Sequence, residues 1–101
     1  MLKIINKFYE SAVKIIFLTG RPESVRNATD DCLNSKLWFS YELIMRPVND
    51  NRPGDVLKKD LWEKYIDPYH NTLCVFEDSN KCVDMWRDLG LLTCQVANGD
   101  Y

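Results

Sequence analysis

A single histidine, His70, and four cysteines that nowhere form Cys-x-x-Cys leave this sequence poor in the ligands of a structural zinc site. Cys32, Cys74, Cys82 and Cys94 are scattered, as expected of small buried or half-buried thiols that pack like apolar side chains, and unlike a secreted disulfide framework. No apolar run approaches the ~20 residues of a membrane span, and Met1–Glu10 carries charges where a signal peptide needs an apolar stretch. No membrane partner is expected, and a cytoplasmic location follows as the default. An excess of one charge is missing too. Thirteen Lys+Arg against 15 Asp+Glu give a net charge of -2, which argues against nucleic-acid binding by a broadly basic surface and leaves room for a local basic pocket.

What is present reads as one ordinary globular domain over residues 1–101, with 46% hydrophobic and 28% charged residues. The loosest segment, Arg46–Gly54 (RPVNDNRPG), reads as a connection inside that domain. Leu2, Ile5, Phe8 and Tyr9 stand at helical spacing, which predicts a helix over Leu2–Ser11. A strand is expected over Lys14–Thr19, then a helix from Pro22 with Val25, Ala28, Thr29, Cys32 and Leu33 as its buried stripe. Glu42–Met45 is a second strand, and Val56, Leu57, Leu61, Tyr65 and Ile66 mark the next helix. Thr72–Phe76 is apolar enough for a strand buried on both faces. Val83, Trp86 and Leu89 give a helix stopped by Gly90, and Thr93–Ala97 is the last strand. The alternation implies an α/β fold with a mostly parallel sheet.

Ligands of such sheets bind beyond the carboxyl ends of the strands. The first strand delivers Thr19, Gly20 and Arg21 there, in KIIFLTGRPESVR. The Thr19 hydroxyl and the following amides suit a phosphoryl oxygen at a helix N-terminus, and the Arg21 guanidinium is a planar fork for phosphate. A plain helix cap is the alternative. The third strand ends in Glu77-Asp78, two adjacent acids that a hard cation would reconcile; the alternative is Asp78 as N-cap of the next helix. Of Lys58 and Lys59, one can face the crevice while the other is solvated.

In this order, the elements resemble motifs II, III and IV of the haloacid dehalogenase superfamily of phosphohydrolases. IIFLTGRPESVRNATDDCL, LIMRPVNDNRPGDVLKKDLWEKYIDPY and VFEDSNKCVDMWRDLGLLTCQVANGDY together resemble the 3′-phosphatase domain of phage polynucleotide kinase-phosphatases over nearly the whole chain. The resemblance implies a three-layer Rossmann-like fold and makes Thr19, Lys58 and Asp78 the catalytic group. Thr19 holds the phosphoryl group with Gly20 and Arg21 as substrate contacts, and Lys58, third after Asp55 in DVLK, is the motif III lysine. Asp78 and Glu77 are the implied ligands of Mg2+. The family pattern of two aspartates followed by arginine is here Glu77-Asp78-Ser79.

The family's motif I, an Asp-x-Asp that supplies the nucleophile on a central strand, has no counterpart in these residues. The resemblance therefore implies a domain truncated at its N-terminus and inactive as an isolated chain, because no aspartyl-phosphate can form by that route. The implied partners are a nucleic-acid 3′-phosphate end and either a second chain or another copy that fills the missing strand. The other function class is a non-catalytic module that binds phosphorylated ends or a protein.

Overall fold

Ile16, Phe17 and Leu18 favour extended backbone, and the first strand runs through them. The computed structural model describes Ile5, residues 13–37 and residues 40–99. The helix expected over Leu2–Ser11 lies, Ile5 aside, outside these residues. Two compact units divide the chain, Met1–Asp50 and Asn51–Tyr101.

In the first unit, β1 (Ile16–Pro22) is followed by a 3-10 turn (Glu23–Val25), helix α1 (Arg26–Lys36) and β2 (Glu42–Arg46). The strands pair in parallel, with Phe17 opposite Leu43 and Leu18 opposite Ile44. Leu43 and Met45 are buried, and Phe17 meets Tyr41 edge to face at 5.5 Å. Within α1 the covered stripe is narrower than the apolar spacing suggests. Thr29 is buried and Arg26, Asp30 and Leu33 are half-buried, whereas Ala28 and Cys32 are exposed. Arg26 belongs to the covered side, where its Nη2 donates to the Leu43 carbonyl at 3.1 Å.

The second unit contains α2 (Gly54–Tyr65), β3 (Val75–Ser79), α3 (Asn80–Asp88) and β4 (Thr93–Gly99). Its strands are also parallel, with Val75 opposite Thr93 and Glu77 opposite Gln95. Leu57, Leu61, Trp62 and Ile66 from α2 and its end, and Cys82, Val83 and Trp86 from α3, make its core. The rings of Trp62 and Trp86 meet edge to face at 6.1 Å, a favoured aromatic geometry. Gly90 ends α3 at φ 82°, and the Leu91 N–H reaches back to the Trp86 carbonyl, a glycine-dependent stop.

An α/β architecture with parallel pairing is thus present in both units. The strand limits differ from the sequence reading. β1 and β4 run on to Pro22 and Gly99, and β3 starts at Val75 instead of Thr72. Thr72 is held outside β3 by its hydroxyl, which accepts from Trp62 Nε1 at 3.0 Å. Leu73 is consequently 61% exposed, and Val75 and Phe76 are only half-buried. The thiols are all free; Cys82 is buried and Cys74 half-buried, but Cys32 and Cys94 are exposed. Among the described residues no helix is long and apolar enough to cross a membrane.

Candidate functional site

Thr19, Gly20 and Arg21 lie inside β1, not beyond it. Thr19 pairs with Met45 and Pro22 with Arg46, so Gly20 and Arg21 form a two-residue bulge with no ladder partner on β2. Proline supplies the extended backbone that carries the strand this far (φ -73°, ψ 151°), and the 3-10 turn comes before α1. The threonine is therefore not at the mouth of an α-helix, as the sequence suggested. Its Oγ1 accepts the Arg21 N–H at 3.1 Å, which fixes the oxygen and leaves the hydroxyl proton to donate. Arg21 is exposed.

The bulge is pinned from β2. Arg46 donates from Nε to the Gly20 carbonyl at 2.7 Å and from Nη1 to the Asp50 carbonyl at 3.0 Å. A β-carbon at Gly20 would stand 3.4 Å from Arg46 Nη2, about van der Waals contact. Just beyond, Arg26 holds the Glu23 carboxyl below the usual carboxylate range through a 2.7 Å hydrogen bond.

In the second unit the two lysines separate. Lys59 is exposed, whereas Lys58, one turn into α2, donates from Nζ to Glu77 Oε1 at 3.0 Å with its side chain 16% exposed. Glu77 is buried at the end of β3 and accepts three further bonds. Trp86 Nε1 meets Oε1 at 3.2 Å, and the Asp78 and Ser79 amides meet Oε2 at 3.1 and 3.3 Å. The N-cap of α3 is Ser79, whose Oγ accepts from Cys82 N, so Asp78 is released from the capping role that sequence left open to it.

Asp78 is half-buried at a second irregularity. Glu77 faces Gln95 and Ser79 faces Gly99, so a single residue of β3 stands against three of β4. Gln95 Nε2 donates to the Asp78 carbonyl at 3.0 Å and to Asn80 Oδ1 at 2.6 Å. A β-carbon at Gly99 would overlap the Asp78 carbonyl.

Among the described residues no group of three or more His, Cys, Asp or Glu could hold a metal ion. Glu77 already has four donors on its two oxygens, about as many as its lone pairs accept.

Sequence reasoning missed three residues here. Arg46 read as the residue that stops the second strand, Trp86 as part of a helix's apolar stripe, and Gly99 as lying beyond the last strand. The only visible signal was arginine before proline, a charged residue where the strand had to stop.

The whole chain, residues 1–101, matches the family described as Polynucleotide kinase PNKP phosphatase domain. It is 34% identical over 91 residues to a protein of Autographa californica nuclear polyhedrosis virus named "Putative bifunctional polynucleotide kinase/RNA ligase", covering 86% of this chain and 13% of that protein. Two solved chains are similar in structure. One, from the Pnkp1/Rnl/Hen1 complex, has a TM-score of 0.92 and 32% identity, over 98% of this chain and 35% of that one. The other, from the Pnkp1/Rnl/Hen1 RNA repair complex, has a TM-score of 0.93 and 31% identity, over 98% and 32%. The chain thus spans about a third or less of the relatives it matches. On these matches, the chain belongs to the PNKP phosphatase-domain family of the haloacid dehalogenase superfamily.

Proposed function

We propose that these residues supply the phosphate-gripping part of a polynucleotide 3′-phosphatase, a phosphoric monoester hydrolase acting on nucleic-acid 3′ ends. In the first unit Thr19 donates its hydroxyl to the phosphoryl group and Gly20 and Arg21 contact it; in the second unit Lys58 is the cation assigned to offsetting phosphate charge. The observation that carries this reading is the ordered bulge at Thr19–Arg21, whose hydroxyl oxygen and main-chain carbonyl are already held by partners. Preorganised donors of that kind are what phosphoryl transfer uses. Magnesium belongs to the family expectation, with Asp78 the carboxylate to test.

As these 101 residues stand, the hydrolysis itself is expected to be negligible, because they contain no Asp-x-Asp nucleophile. A longer polypeptide or another chain that brought one would complete the reaction. The same reading includes self-association or strand addition by a second chain. β1 and β3 each have one hydrogen-bonded neighbour among the described strands, and the similar solved chains come from multi-protein complexes.

Binding of 3′-phosphorylated and 3′-hydroxyl oligonucleotides by the purified chain tests the reading, alongside phosphate release with magnesium. A preference for the 3′-phosphate that falls in Thr19→Ala and Arg21→Ala, with no release, is expected. Equal binding of both ends would defeat the substrate assignment. Release by the chain alone, abolished in Asp78→Asn, would overturn the expected inactivity.

A further inference from the structure

We propose that Trp86 is a positioning residue for Lys58, acting through Glu77, and that Glu77 is the fixed counter-charge of that lysine and not a magnesium ligand. The four donors on Glu77 divide evenly. Lys58 Nζ and Trp86 Nε1 share Oε1, and the amides of Asp78 and Ser79 share Oε2. A carboxylate offers about four lone-pair directions, so any fifth partner must displace one of these.

None is easily displaced. The two amides belong to the same strand end as the carboxylate. Trp86 is 3% exposed and wedged edge-on against Trp62, and an indole N–H can only donate. Turning Glu77 towards a cation would leave that buried donor unpaired, which is unfavourable. The glutamate side chain, longer by one methylene than the family's aspartate, curls back to its own amides while Oε1 reaches α2 and α3.

The consequence falls on Lys58. An ammonium on a four-carbon stem is otherwise a loosely placed point charge. Here one of its three N–H donors is fixed by a carboxylate that is itself fixed on both oxygens, so the others keep a constant aim. The relevance to phosphate rests on the phosphatase reading above; the dependence of Lys58 on Trp86 does not.

Lysine acetylation by a water-soluble N-hydroxysuccinimide ester, read by mass spectrometry on the intact folded chain, tests the placement with Lys59 as internal reference. Lys58 is expected to be the slower of the two. Trp86→Phe changes packing as well as the donor, so the decisive replacement is benzothienylalanine at position 86, which keeps the ring shape and exchanges N–H for sulfur. It should raise Lys58 acetylation relative to Lys59 by about 3–10-fold, the scale of one lost hydrogen bond, and Glu77→Gln should raise it further. Magnesium chloride should leave the wild-type ratio unchanged. An unchanged ratio in the benzothienylalanine chain, or a rise in Lys58 reactivity with magnesium, overturns the proposal. Added orthophosphate should protect Lys58 further. Its failure to do so would count against the phosphatase reading while leaving the Trp86 dependence standing.

Discussion

Gly99 lies so close to the main-chain carbonyl of Asp78 that no β-carbon fits between them. Gly99→Ala therefore has to push the two strand ends apart. A loss of about 1–3 kcal/mol is expected, as for overpacked sites, measured as a lower urea midpoint. The Asp78 and Gln95 amide resonances should move with it, while those around Phe17 stay in place.

Leu57 is fully buried in the second unit. Leu57→Ala should cost about 2–5 kcal/mol, a large share of the ~5–15 kcal/mol of a typical domain. Loss of the cooperative thermal transition near ambient temperature would be the readout.

Arg46 bridges the Gly20 and Asp50 carbonyls through two different nitrogens. Lysine has no such fork. Arg46→Lys should therefore loosen the Gly20-Arg21 bulge and weaken binding of a 3′-phosphorylated oligonucleotide, with a stability loss of about 1 kcal/mol. Calorimetric titration and a denaturant curve separate the two effects.

Burial pushes the Cys82 thiol above its ordinary value, against the smaller opposing pull of a hydrogen bond with Ser79. The folded chain thus keeps that proton to higher pH than the unfolded chain. Stability from this group is present below the ordinary thiol range, about pH 8.5, and is lost as pH rises towards the folded value. Cys82→Ala should flatten the alkaline limb of the stability curve. Alkylation of the native chain at pH 8 should reach Cys32 and Cys94 well before Cys82.

Light scattering at several concentrations addresses the strand edges. Mass rising with concentration is expected if β1 or β3 accepts a strand from another copy. A monomer throughout, with cooperative unfolding, would rule self-association out.

The alternation of elements was legible because apolar runs such as Ile16–Leu18 and amphipathic runs such as Leu57–Ile66 carry local periodicity. Gly20-Arg21 and Glu77-Asp78 were legible as candidates through their order along the chain. Their geometry was not. The bulge at Gly20 depends on Arg46, 26 residues away, and the Glu77 carboxylate on residues 9 and 19 away. Trp86 shows the difficulty plainly: its ring belongs to the core and its N–H to the candidate site, and spacing reports only the ring. Spacing alone left Lys58 and Lys59 open for the same reason, since adjacent helical residues differ only in which way α2 faces, and only the family resemblance singled out Lys58.

The depth of the Lys58–Glu77 pair also bears on ionic strength. Lys14–Glu42 and Lys64–Asp60 are largely open to solvent, and dissolved ions screen charges over about 8 Å at physiological concentration. Such surface pairs fade in concentrated salt, as would any long-range attraction by exposed Arg21. Within the second unit, the buried pair of Lys58 and Glu77 is reached far less by counterions. On the proposed function, concentrated salt would slow association with an anionic strand while leaving the Lys58–Glu77 contact intact, so the two effects can be separated by salt alone.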